Sequence, residues 1–173
     1  MVHEFLMSCC AAAHEEVHWG TMPLGVTTYI SDVLPPLELV TSVRAVVLHG
    51  TAAVVIHDGV DLHVLPGGRR EPGESVEATL AREVSEETGY TLKDSKVLGF
   101  MHFQHLGPKP TGYSYPYPDF FQVVFAARAG QYRPEDMVDD EYVKRSELMS
   151  AEDVLMLGLP PGEHAYLRAA LKL

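Results

Sequence analysis

Between Gly68 and Tyr90 the sequence packs six glutamates into 23 residues, and no other stretch constrains the chain as much. Ser75 is an N-cap residue, Val76 to Thr88 contain no Gly or Pro, and Gly89 stands where a left-handed C-terminal cap is expected. The stretch therefore reads as a loop followed by a helix over 76–88. At about 100° per residue, Glu83, Glu86 and Glu87 fall within about 100° of arc, and Leu80, Ala81 and Val84 fill the neighbouring arc. One face packs, and the edge beside it carries three carboxylates.

Like charges four apart on a helix repel, so a cationic group should offset them. A hard divalent cation suits this best, because Mg²⁺ takes oxygen ligands and is commonly shared between protein carboxylates and substrate phosphates. A solvated acidic face is the plain alternative. Against it stands Leu65-Pro66-Gly67-Gly68 just upstream, where the glycines let backbone groups come close to a ligand.

Gly68, five residues, Glu74, seven residues, then Arg82-Glu83-Val84-Ser85-Glu86-Glu87-Thr88-Gly89-Tyr90 resembles the complete Nudix box. Tyr90 stands where that family more often has an aliphatic residue. The resemblance implies an α/β fold, a Nudix-type α/β/α sandwich with a mixed β-sheet. It also implies Mg²⁺-dependent attack of water on a diphosphate linkage in a nucleoside diphosphate derivative, with Mn²⁺ as an alternative metal. By the same resemblance Gly68, Glu83, Glu86 and Glu87 are the metal ligands, and Glu86, Glu83, Arg82 and Glu74 are the catalytic group, Arg82 and Glu74 holding the carboxylates in position. A loop carboxylate often completes such a site, and Glu135 and Glu141 are the nominations. The non-enzyme rival is a nucleotide-binding Nudix module without catalysis.

The 173 residues suit one domain. Thirteen basic against 24 acidic residues give a net charge of −11, which disfavours a nucleic-acid polymer or an anionic membrane as partner. A small-molecule nucleotide remains compatible, because a bound metal reverses the local sign of an acidic site. No apolar run of 18 residues is present, so no membrane span is expected. Cys9 and Cys10 are adjacent and fit a reducing, cytoplasmic setting. A homodimer is compatible with this reading.

His14-Glu15-Glu16-Val17-His18 matches the H-E-x-x-H pattern of zinc metallopeptidases and supplies a rival enzyme class. It lacks a third ligand set up on a helix. Residues 1–21 read instead as a loosely ordered leader, with the domain over 22–173. Strands are expected at 26–30, 43–49, 53–57, 61–65, 97–105, 120–129 and 142–144, and helices at 146–157 and 162–171. His49, His57 and His63 read as strand residues with local hydrogen bonds.

Residues 107–118, Gly-Pro-Lys-Pro-Thr-Gly-Tyr-Ser-Tyr-Pro-Tyr-Pro, are too rich in Pro and Gly for a helix or an interior strand. Tyr113, Tyr115 and Tyr117 offer rings for stacking on a base, and Lys109 offers a cation for a phosphate. A proline-stiffened surface loop is the competing account.

Overall fold

The computed structural model describes residues 2–138, 143 and 145–173. Glu141 and most of the strand expected at 142–144 lie outside them.

Nine strands among these residues form one sheet: β1 (Ala11–Trp19), β2 (Met22–Ile30), β3 (Val40–His49), β4 (Ala52–His57), β5 (Leu62–His63), β6 (Gly67–Arg69), β7 (Tyr90–His105), β8 (Asp119–Tyr132) and β9 (Arg145–Ser150). Their order is β1-β2-β7-β8-β3-β4-β5, with β6 added to β3 and β9 added to β4. Only β3 and β8 run parallel; the other pairings are antiparallel. The sheet is therefore mixed, as expected.

Alternation along β3 explains the two layers. Val43, Ala45 and Val47 face one side and Val46 the other, and all four are fully buried. On the first side lies α2 (Val76–Thr88), whose Val76, Leu80 and Val84 join a core with Val123 and Phe125. Burying a side chain such as Leu80 contributes about 1.5–3 kcal/mol. Helix α1 (Val2–Met7) adds Phe5, with its ring 5.2 Å from that of Phe100. On the second side α4 (Pro161–Ala170) packs Tyr166, Leu167 and Ala170 against Val46, Leu98 and Val124. The buried Tyr166 hydroxyl donates to the Tyr29 carbonyl at 3.3 Å, so the one polar atom of that ring is satisfied.

Three segments differ from expectation. Residues 2–19, read as a loosely ordered leader, contain α1 and β1, and β1 pairs with β2 from Ala11 to Trp19. Leader-like composition gives no hint of this, because Val17 and Trp19 find apolar partners only in three dimensions. The helix expected over 146–157 splits into β9 and the short α3 (Ala151–Leu155). The exposed edge of β4 captures residues 145–150 in six cross-strand pairs, and the Ser150 hydroxyl then caps α3 by accepting from the Asp153 N–H at 3.1 Å. Strand β6 escapes a propensity-based reading because it begins with two glycines.

Candidate functional site

Helix α2 has both of its expected caps. The Ser75 hydroxyl accepts from the Ala78 N–H at 3.1 Å, and Gly89 adopts φ 73°. The helix therefore stops where its carboxylate edge meets β6. There the Gly67 N–H donates to Glu87 Oε2 at 2.7 Å, and Glu87 is only 8 % exposed.

The two glycines of β6 are needed for different reasons. Gly67 has φ 138°, and a Cβ at this position would strike the Val43 carbonyl and the Arg44 backbone. A Cβ on Gly68 would land on the Glu83 carboxylate. Helix and strand are thus as close at this point as the backbone allows.

Arg82 ties the remaining carboxylates together. Its Nε donates to Glu74 Oε1 at 2.9 Å and its Nη2 to Glu74 Oε2 at 2.9 Å. Nη1 reaches Glu83 Oε1 at 2.8 Å and Glu86 Oε2 at 3.2 Å, and Nη2 also donates to the Arg69 carbonyl at 3.0 Å. Glu74 further accepts from the Thr79 hydroxyl and the Glu71 N–H. The Arg82 bonds, with help from the Glu71 N–H, lower the Glu74 carboxyl to about 2. Burial raises Glu83 instead, opposed in part by its bond to Arg82. Two carboxyl groups one turn apart therefore differ in environment: the Glu83 side chain is 15 % exposed and that of Glu86 37 %.

The predicted metal-binding and catalytic residues are thus brought together, with Gly68 against Glu83 and Glu74 behind Arg82. Among the described residues, no three His, Cys, Asp or Glu side chains converge on a single point that would hold a metal ion. Where Glu83 and Glu86 approach each other, Arg82 Nη1 stands between them. The donor set itself, carboxylate and backbone oxygens around a glycine strand, fits a hard divalent cation.

The tyrosine loop divides into two parts. Tyr115 turns toward β6, where its hydroxyl takes a 2.6 Å hydrogen bond from Arg69, whose guanidinium lies 5.0 Å from the ring centroid. Tyr113 and Tyr117 gather around His105, the Tyr113 hydroxyl at 3.0 Å from Nε2 and the Tyr117 ring at 5.1 Å. The Tyr117 hydroxyl donates to the Gly107 carbonyl. Burial lowers the pKa of His105, which favours the neutral ring. Lys109 lines a cavity of about 300 Å³ and has no hydrogen bond or ion pair among the described residues. Arg69 and His105 are the residues that a motif-based reading misses. Arg69 follows two glycines in a box whose spacing does not include it, and His105 has the sequence setting of an ordinary strand histidine.

The zinc pattern is not on a helix. His14 and His18 lie on β1, four residues apart on a strand and so about 13 Å apart, too far to share one ion. His14 Nδ1 bonds to the Thr27 hydroxyl at 2.9 Å instead. His57 and His63 do have local partners: Glu147 for the first, Glu163 and Asp58 for the second. In the acidic loop, Asp136 rather than Glu135 reaches α2, through a 3.5 Å contact with the Ser85 hydroxyl, while the Val138 N–H donates to the Glu86 carbonyl.

A mixed sheet between helical layers, with a glycine strand pressed onto the carboxylate edge of its central helix, is a Nudix architecture. The chain belongs to the NUDIX domain family, which residues 39–170 match. A Bacillus subtilis (strain 168) protein whose name proposes 8-oxo-dGTP diphosphatase activity is 47% identical over 53 residues, covering 27% of this chain and 36% of that protein. The match thus spans about a third of that relative. Among solved structures, the B. subtilis pyrophosphohydrolase BsRppH superposes with a TM-score of 0.54 at 21% identity, covering 78% of this chain and 77% of its own. The NUDIX domain of Shewanella oneidensis NrtR, complexed with ADP ribose, gives 0.56 at 16% identity over 80% and 92% of the two chains. These similarities establish a shared fold.

Proposed function

We propose that the protein is a divalent-cation-dependent hydrolase that cleaves a diphosphate linkage in a nucleoside diphosphate derivative. The observation that carries this reading is the gathering of Glu74, Glu83 and Glu86 around Arg82 beside the glycine strand, with Glu87 bonded to its backbone. Carboxylates gathered at one helix edge beside a glycine strand suit chemistry that handles concentrated negative charge.

Glu83, Glu86, Glu87 and the Gly68 carbonyl would hold Mg²⁺ or Mn²⁺. When bound, the cation neutralises phosphate charge and polarises the attacking water. Arg82 orients Glu83 and Glu86 from one guanidinium nitrogen, and Glu74 fixes Arg82 by a two-point bond, so these carboxylates are aimed before substrate arrives. Gly67 fixes Glu87 through its N–H. Tyr115, placed next to Arg69, offers a ring beside the site, and Tyr113, Tyr117 and Lys109 extend that surface. The substrate is a small-molecule nucleotide.

The direct test incubates the protein with a mixed nucleotide panel, with and without Mg²⁺, and follows nucleoside monophosphate by mass spectrometry. Release that requires added Mg²⁺ supports the reading. Binding without turnover at any metal concentration would instead mark a nucleotide-binding module.

A further inference from the structure

The cavity beside Lys109 has one wall that the family match does not contain. Thr21, Met22 and Pro23, from the turn and first residues of β2, form one side, and His105 with residues 107–111 forms the other. The matched segment begins at residue 39. The N-terminal hairpin thus completes a compartment on the rim of a fold whose glutamate-rich site lies elsewhere.

The separation can be read from the sheet. The carboxylates meet β6, which pairs with β3; β3 pairs with β8, and β8 with β7, which ends at His105. Three strand spacings of about 4.8 Å therefore lie between the two places. A chain of close contacts crosses this gap: Arg69 lies 5.0 Å from the Tyr115 ring, Tyr115 5.6 Å from Tyr113, and Tyr113 4.9 Å from His105. Lys109 lines the cavity at the His105 end of this chain of contacts, the end away from the carboxylates.

The lining decides what kind of group would sit there. Lys109 supplies an ammonium with no partner among the described residues, in a chain of net charge −11. Thr21 and Thr111 supply hydroxyls, and His105 a largely neutral ring. The remaining wall is Met, Pro and Gly. Among the described residues no pair of parallel rings lines the cavity to sandwich a base, whereas a cation with hydroxyls suits a compact oxyanion.

We infer that this cavity is a second subsite, which takes a phosphomonoester at the far end of a two-part substrate whose diphosphate lies at the Glu83–Glu87 edge. The inference rests on the hydrolase reading for the position of the diphosphate. It makes the hairpin turn a specificity element.

A matched pair of probes tests it: two β-octyl esters of α,β-methylene-ADP, one ending in a phosphate and the other in a hydroxyl. Their affinities are measured by calorimetry with Mg²⁺ present, so that the diphosphate analogue can be held at the carboxylates while its P–C–P bridge keeps the result independent of turnover. In the wild type the terminal phosphate should tighten binding about tenfold, the scale of one charge-assisted hydrogen bond. Lys109→Gln should remove most of that advantage. Thr111→Trp should do the same by filling the cavity without changing charge. Both side chains are exposed, so neither substitution removes a buried contact. Equal affinity of the two esters for the wild type, or a phosphate advantage that survives both variants, would overturn the subsite. Failure of the wild type to cleave the corresponding ordinary ADP esters with Mg²⁺ added would instead count against the hydrolase reading and leave the binding result standing.

Discussion

Arg82 grips Glu74 at two points, Nε to Oε1 and Nη2 to Oε2, both at 2.9 Å. This parallel fork fixes the plane of the guanidinium and thereby the direction of Nη1, the nitrogen shared by Glu83 and Glu86. An acid outside the helix thus sets the positions of two acids on it.

Lysine at position 82 would keep the charge but lose the fork, since an ammonium presents no planar pair of donors. Arg82→Lys should therefore lower kcat/KM by about 10- to 100-fold, the scale seen when partners that orient metal ligands are changed. Its melting temperature should move far less, because the network is partly exposed. Steady-state kinetics and calorimetry on the same preparation check both halves.

The adjacent glycines separate function from folding. In Gly68→Ala the new Cβ meets a side-chain carboxylate that can shift, so the protein should fold with the Glu83 carboxylate displaced and activity lost. In Gly67→Ala the Cβ meets backbone, and φ 138° is a conformation that L-residues avoid, so the protein should be destabilised as a whole. Circular dichroism melts beside activity assays distinguish them; a stable, active Gly68→Ala would show that the close approach of β6 to Glu83 does not require that glycine.

These glycines also show what could be read in advance. The box residues and both caps of α2 were legible because they depend on spacing along one helix. Residues 90–96 of β7 and the whole of β9 were not, since each depends on a partner strand far away in sequence: β8 for the first and β4 for the second. Arg69 was invisible for a related reason. Its partner Tyr115 lies 46 positions away, in a loop with no periodicity. The histidines of β1 are the converse case, a legible pattern without a site, because i and i+4 suit a metal only on a helix.

His63 predicts a pH dependence of stability. Its ring bonds to Glu163 at 2.8 Å and to Asp58 at 3.3 Å, and these partners raise it to about 9 against the opposing effect of burial. A folded pKa above the unfolded value contributes stability that is fully present below about 6.5 and is lost as pH rises through about 9. The melting temperature should decline across that window. Glu163→Gln should flatten the decline, and an unchanged slope in that variant would place the titration elsewhere.

Removing residues 1–21 deletes α1 and β1, and so removes the Phe5 contact with Phe100 and the Trp19 contacts with Phe103 and Phe120. Trp19 is 43 % exposed and Phe5 is half-buried, so each contributes less than the roughly 3–5 kcal/mol of a fully buried aromatic, and each kcal/mol lowers the melting temperature of a chain of this size by about 2–4 °C. The truncation should therefore melt several degrees lower and aggregate more readily through the bared edge of β2. Thermal melts and light scattering test this, and an unchanged melting temperature would show that the N-terminal segment is dispensable.

Glu87 gives the sharpest test of the proposed metal site. It is buried and its Oε2 accepts from the Gly67 N–H, a bond that the amide oxygen of glutamine can still accept. Glu87→Gln thus preserves shape and backbone contact while deleting one of three neighbouring negative charges. Folding should survive, since the side chain keeps its shape and its bond to the Gly67 N–H. An amide oxygen is a poorer donor to a hard cation, so the rise in melting temperature on adding Mg²⁺ should shrink. Hydrolysis should fall by about 10²- to 10³-fold in kcat, by analogy with the loss of one electrostatic contact in a transition state. The measurement is paired, comparing turnover at limiting Mg²⁺ and the Mg²⁺-induced melting shift for both proteins. Wild-type values of both in the variant would sink the assignment of Glu87 to the metal.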